Sequence, residues 1–245
     1  MTIKDQTKNL LDVSHHLLER FNEIAPGSFQ HCKNVMNICE TIAVELLLNK
    51  DDLKMAAMYH DFGKINNPSY FSENQTDINI HDELEPKMSY QMITRHVGDS
   101  LTLLISIDEI PRKVLEYISQ HHGNTIVKTF YNKDKNNKLN DAYRYKSKPP
   151  QSTEAIVLMI VDSVEATAKS LYNEGMLDTP ESRKEVVRST IQNLEDDDQL
   201  DTLMIGTKKE INDILTRELN VIYHKRISYN SEDEEPIGEK RKKNL

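Results

Sequence analysis

Nine histidines are spread over the 245 residues, and five of them continue apolar helical stripes. His31 lies four residues before Val35. His60 follows Ala56 and Ala57 at four and three, His96 stands in the same relation to Met92 and Ile93, and His121 and His122 follow Ile118 at three and four. Asp162 follows Leu158 and Met159 likewise, and Asp61 adjoins His60. Residues three and four apart share a helix face, so each of these polar groups is expected to point inward. A single inward histidine is more often a satisfied core side chain than a ligand. Five of them with two aspartates need more, because buried polar and charged groups are costly unless partnered. A metal partners many at once. Imidazole together with carboxylate suits Mn, Fe, Co or Zn, whereas an all-oxygen Mg or Ca cage would not use five histidines. Seven ligands exceed one tetrahedral zinc and suit two ions sharing a bridge, for which the two oxygens of Asp61 are well placed.

The elements that must carry these residues are helices. Leu10, Val13, Leu17, Phe21 and Ile24 repeat at helical spacing until Pro26-Gly27 stops the pattern. Val35, Ile38, Cys39, Ile42, Ala43 and Leu46 mark a second helix, and Leu53, Ala56, Ala57 and His60 a third that ends near Gly63. Residues 66–82 read as a loop. Met88, Met92 and Ile93 mark the next helix, and Val114, Leu115 and Ile118 another that begins after Pro111. The polar run 132–150 reads as a long loop, functional or mobile. A long helix reaches about Tyr172, Thr179-Pro180 opens another, and Thr207 with Glu210 resembles a capping box for the last, which runs to about Lys225. Residues 228–245, an acidic block and then a basic one, are expected to be a disordered charged tail.

Composition agrees with an all-α fold and narrows the function. There are 7 glycines and no tryptophan, and neither G-x-G-x-x-G nor G-x-x-x-x-G-K-[ST] is present. The net charge of −9 disfavours a protein that coats DNA or RNA by neutralising phosphates. No apolar run approaches the roughly 20 residues of a membrane span, and the N-terminus lacks a signal peptide's basic start and apolar core. Cys32 and Cys39 lie on one helix face without zinc-knuckle spacing and read as reduced core residues, so the expected location is cytoplasmic.

His31, then His60-Asp61 in HDFGK, then His96, His121-His122 and Asp162 reproduce the signature of HD-domain phosphohydrolases. APGSFQHCKNV, YHDFGKINNPSYFSENQ, ITRHV, QHHGNTIVKTFY, YRYKSKPPQSTEA and IVDSVEA resemble more closely the cytosolic HD domain of PgpH-type enzymes, membrane-anchored phosphodiesterases of cyclic di-AMP. The GYP extension that marks the cyclic di-GMP branch does not follow HHG. The family's membrane helices and extracellular domain have no counterpart in this sequence. The resemblance implies an HD-domain helical bundle over residues 1–227, its core at about 10–175 and a helical extension to about 225. It also implies two buried divalent ions, manganese or iron. One would be held by His31, His60, Asp61 and Asp162, the other by Asp61, His96, His121 and His122.

Such a pair of ions clamps a phosphodiester and acidifies a bridging water, giving the hydroxide that attacks phosphorus in line. No G-x-S-x-G elbow offers a competing nucleophile. Lys64, one turn after His60, is expected beside the metals, where with Asp61 it serves catalysis and holds a phosphate oxygen; otherwise it is an exposed lysine complementing a helix dipole. Arg144, Lys146 and Lys148 could grip a second phosphate, with Tyr143 and Tyr145 stacking a base; the alternative is a solvated lid. A metal-bound water or His81 is available to protonate the leaving group. His81-Asp82 otherwise reads as a capping doublet, and His15, His16 and His224 lie outside the signature. The expected activity is hydrolysis of cyclic di-AMP to linear pApA. The alternatives are a phosphohydrolase of another cyclic or linear nucleotide, and a cyclic-dinucleotide-binding signalling module without turnover.

Overall fold

The computed structural model describes residues 10–75, 79–135 and 140–223. Among the described residues nine α-helices follow in chain order: α1 His16–Ile24, α2 Pro26–Glu45, α3 Lys50–Tyr59, α4 Pro86–Leu104, α5 Arg112–Gln120, α6 Lys128–Lys133, α7 Thr153–Asn173, α8 Pro180–Glu195 and α9 Ile205–Ile222. Among the described residues there is no strand, only a bridge between Ile126 and Arg144. No helix there is long and apolar enough to cross a membrane.

The most apolar helix sits in the middle. Residues 155–162 of α7 are buried without interruption, the pattern of a helix covered on all sides. The helix starts where Ser152 accepts a hydrogen bond from the Ala155 N–H, a cap worth about 1 kcal/mol. On α7 pack α2, α3, α5 and α8. The buried stripe of α2 is the one its spacing predicts: Val35, Ile38, Cys39, Ile42 and Ala43. Both cysteines are free and buried, and burial pushes the Cys39 thiol pKa up.

Several boundaries differ from expectation. α1 starts at His16, although Leu10 is itself helical, and Val13 is 62% exposed, because the chain at 11–15 turns instead of coiling. α1 ends at Ile24, just before Pro26 as expected, and Pro26 itself occupies the first turn of α2, where its missing N–H costs no hydrogen bond. Residues 66–82 contain short 3₁₀ turns at Pro68–Tyr70, Ser72–Asn74 and Ile80–Asp82. Asp82 caps no helix; it accepts from Lys133, and α4 begins after Glu85 without a side-chain cap. The run 132–150 holds the end of α6 and a 3₁₀ turn at Asn140–Tyr143, and its residues 136–139 fall outside the described residues. Thr179 caps α8 in a reciprocal box with Ser182. Thr207 lies inside α9, which opens after Met204, so Thr207 and Glu210 form no box. His224 and the tail at 228–245 fall outside the described residues.

The third helix ends in a way that builds the site. It stops at Tyr59, with His60 as the C-cap, and the chain tightens into a 3₁₀ turn at Phe62–Asn66. Between them Asp61 adopts φ −100°, ψ 11°, a sparsely populated region common at active sites. The turn presses on α4: a Cβ at Gly63 would lie 2.3 Å from the His96 carbonyl oxygen and from the Ser100 nitrogen. Only glycine allows that approach. Ser100 fixes it by accepting from the Gly63 N–H at 2.7 Å and donating to the His60 carbonyl at 2.8 Å. Asp61 is thereby delivered to His96.

Candidate metal centre

Four helices and the turn after α3 bring the seven inward residues together. Their ligand atoms form three overlapping sets, each within 4.8 Å: His96, His121 and His122; His31, His60 and Asp61; His60, His121 and Asp162. Asp61 lies between two of them, with Oδ1 3.2 Å from His96 Nε2 and Oδ2 3.5 Å from His60 Nε2. Asp162 reaches His31 Nε2 at 3.0 Å, His60 Nε2 at 3.6 Å and His122 Nδ1 at 3.7 Å.

The imidazoles are oriented from behind. His60, His96 and His121 each donate Nδ1–H to the carbonyl three residues back, at 2.8, 2.6 and 2.6 Å to Ala57, Ile93 and Ile118. Those bonds put a proton on each Nδ1 and aim each Nε2 at the centre. His31 is oriented by a carboxylate, since its Nδ1 pairs with Glu165, which also accepts from Asn34 Nδ2 at 2.6 Å.

The donor set fits a divalent metal. His96 Nε2 and His121 Nε2 face each other at 3.3 Å, and with both protons on Nδ1 that is two lone pairs in contact. Buried His60 Nε2 and Asp61 Oδ1 have no hydrogen-bond partner among the described residues. A cation resolves all of these at once. Burial holds His96 and His121 below the ordinary imidazole pKa and takes His122 down to about 3, so these three are neutral imidazoles of the kind a metal binds. Burial also opposes protonation of His31 and His60, but neighbouring groups outweigh it. Asp162 and Glu165 raise His31, and the Cys32 sulfur with Asp61 and Asp162 raises His60. Burial works against ionisation of Asp61 and Asp162 too, and is overridden by Lys64 and His60 at the first and by His31 and His60 at the second; both carboxyls lie well below their usual range.

Lys64 is placed differently from an exposed helix-end lysine. Its side chain is 12% exposed and its ammonium lies 2.7 Å from both Asp61 Oδ2 and Glu73 Oε1. Phe71 lies beneath it, with the ring centre 4.6 Å from Nζ. Glu73 and Glu165 escaped the sequence reading. Glu165 follows Asp162 by three on the same helix face, a signal that could have found it, whereas Glu73 lies in a segment without periodicity.

The 143–148 segment is divided. Tyr145 reaches the site, its ring stacked on His122 with centres 4.3 Å apart. Arg144 does not line the cavity; it pairs with Asp197 at 2.7 Å and donates to the Asn124 carbonyl at 2.8 Å. Tyr143 is buried and donates to Asp134, and Lys146 donates to the Asp141 carbonyl. His81 packs on Phe130 with Nε2 on the Tyr70 carbonyl at 2.7 Å, also outside the cavity lining. A cavity of about 720 Å³ opens beside the centre, lined by His31, Asp61, Lys64, His96, His122, Tyr145 and Asp162 among others.

Histidines and aspartates converge at the core of this helical bundle, the HD domain family's pattern matches residues 28–167, and the chain belongs to that family. It is 34% identical over 233 residues to the cyclic-di-AMP phosphodiesterase PgpH of Bacillus subtilis (strain 168), covering 91% of this chain and 32% of the relative. To the PgpH of Listeria monocytogenes serotype 1/2a (strain 10403S) it is 35% identical over 226 residues, covering 90% and 31%. The chain thus spans about a third of the length of these curated relatives. The crystal structure of the L. monocytogenes PgpH HD domain is similar with a TM-score of 0.80 at 34% identity, covering 86% of this chain and 100% of that one. The same domain in complex with cyclic-di-AMP gives 0.80 at 34%, covering 88% and 100%.

Proposed function

We propose that this chain is a metal-dependent phosphodiesterase that hydrolyses cyclic di-AMP to linear pApA with two divalent transition-metal ions, manganese or iron. The observation that carries the reading is the opposed pair of lone pairs on His96 and His121 beside Asp61, next to a cavity of nucleotide size. The relatives' names and the cyclic-di-AMP complex of a 34% identical domain support the substrate.

His31, His60, Asp61 and Asp162 would hold one ion, and Asp61, His96, His121 and His122 the other. When bound, the ions supply the positive charge and the activated water that in-line attack on phosphorus needs. Water adds to one phosphorus, its P–O3′ bond breaks, and the 3′ oxygen leaves with a proton, giving one 5′-phosphate and one free 3′-hydroxyl. The Lys64 ammonium has three donors, of which Asp61 and Glu73 take two, leaving one for an oxygen of the scissile phosphate. Tyr145 offers a ring against which a base can stack.

The test is incubation of the manganese- or iron-loaded chain with a panel of cyclic dinucleotides, with the products separated by chromatography. Cyclic di-AMP is expected to give pApA faster than cyclic di-GMP is opened. Equal or faster opening of cyclic di-GMP overturns the base assignment. Tight binding of cyclic di-AMP without turnover overturns the enzymatic reading.

A further inference from the structure

The cavity continues past the metal centre along one face of α7, where Asp162, Glu165, Lys169 and Asn173 follow one another at intervals of three and four. Its lining carries five carboxylates, Asp61, Glu73, Asp162, Glu165 and Glu174, against two lysines, Lys64 and Lys169. A cyclic dinucleotide brings two more negative charges. The charge of Lys64 is already met by Asp61 and Glu73, both at 2.7 Å. Among the described residues Lys169 makes no ion pair or hydrogen bond, so it is the one uncompensated lysine of the lining.

Its place suits the phosphate that is not being cut. Seven residues after Asp162, Lys169 stands about 10 Å further along the helix axis. Helical side chains lean toward the N-terminus, so its flexible four-carbon stem is directed back toward Asp162. With one phosphate at the metals, the other would lie across the nucleotide ring, toward the end of the cavity that Lys169 and Glu174 line. Lys169 is the cation of that end, where Glu174 is the exposed carboxylate.

We propose that Lys169 holds the non-scissile phosphate of the cyclic dinucleotide and so selects two-phosphate rings over simple phosphodiesters. This rests on the proposed phosphodiesterase reading. The test compares the manganese-loaded wild type, Lys169→Ala and Lys169→Arg on cyclic di-AMP and on bis(4-nitrophenyl) phosphate, which has a single phosphate. In parallel, calorimetry measures affinity for the hydrolysis-resistant bis-phosphorothioate analogue of cyclic di-AMP. Lys169→Ala is expected to lower the ratio of kcat/KM on cyclic di-AMP to that on the single-phosphate ester by about ten- to a hundredfold, mainly through KM. The analogue's affinity should fall by a similar factor, the worth of a charge-assisted hydrogen bond. Lys169→Arg should keep most of both. An unchanged ratio and affinity in Lys169→Ala overturn the assignment. A wild type that cleaves the ester but neither binds nor opens cyclic di-AMP overturns the underlying reading, and this assignment with it.

Discussion

The Nε2 atoms of His96 and His121 lie 3.3 Å apart, each on a ring whose Nδ1 proton is taken by the carbonyl three residues behind it. Neither ring can turn to relieve the contact without giving up a buried hydrogen bond, and burial keeps both from protonating. Helix geometry therefore holds two donors ready for a cation at a standing cost to the metal-free protein.

That cost makes metal content and stability move together. About two ions per chain are expected under metal-replete conditions, with a melting temperature well above that of the chelator-treated protein. Saturation at a thousand times Kd corresponds to about 4 kcal/mol. Asp61→Ala should lose both ions, because its two oxygens face His96 and His60 of the two proposed sets, while His121→Ala should mainly weaken one. Elemental analysis of the three proteins checks this, and no more than one ion in the wild type would sink the binuclear arrangement.

Lys64 makes a second, separate claim on stability. Its ammonium bridges Asp61 and Glu73 in a largely buried place, and their charges hold its pKa well above the ordinary lysine value despite burial. Removing one partner of a buried ionic cluster costs about 3 kcal/mol or more. Metal-free Lys64→Met is therefore expected to melt well below the wild type, and adding Glu73→Gln should recover part of the loss. Thermal melts of the two variants check it; a single variant melting like the wild type would return Lys64 to the role of an exposed dipole partner.

The two ligand sets differ in proton content, which gives them different pH dependence. His31 and His60 have raised pKa values, so in the metal-free protein they hold protons that an ion must displace. His96, His121 and His122 have lowered values and hold none near neutrality. Affinity at the His31–His60 set should rise with pH by about tenfold per unit for each proton released, until the raised pKa values are passed. Affinity at the His96–His121–His122 set should stay nearly flat from pH 6 to 8. Titrations in buffers of different ionisation enthalpy count the protons; equal release at both sets would contradict the asymmetry.

The helical register made the seven inward residues legible, because a polar group in an apolar stripe is an anomaly that one element reveals. What it could not reveal was how that element ends. Lys64 reads as an exposed helix terminus only if the third helix continues to Gly63. Stopping at Tyr59 and tightening into a 3₁₀ turn buries it instead. Glu165 was hidden for another reason: its partner His31 lies 134 residues away, and only the packing of α2 on α7 joins them. Thr207 with Glu210 shows the opposite error, a sound local motif that the chain does not use because α9 already begins at Ile205. The loop cations were the least legible, since a polar run has no register from which to read direction.

Arg144 is the sharpest case of that last kind, and its role can be separated by coupling. Its guanidinium joins Asp197 at 2.7 Å and the Asn124 carbonyl at 2.8 Å, and Asp197 also accepts from the Ile126 N–H at 3.4 Å. The contacts clamp residues 124–126 and 143–145 to the end of α8. On the same short pairing the Tyr145 N–H donates to the Thr125 carbonyl at 2.9 Å, which sets the ring over His122. Arg144→Ala and Asp197→Ala are each expected to destabilise the fold by about 1–2 kcal/mol, the range of a charged hydrogen bond reduced by partial exposure. The double variant should cost less than the sum of the two singles, because both remove the shared ion pair. The two singles should weaken cyclic di-AMP binding alike, through a loosened Tyr145. A guanidinium that grips phosphate predicts another pattern, in which Arg144→Ala loses affinity and Asp197→Ala keeps or gains it. Denaturant titrations of the four proteins with binding measured in parallel distinguish a clamp from a phosphate ligand.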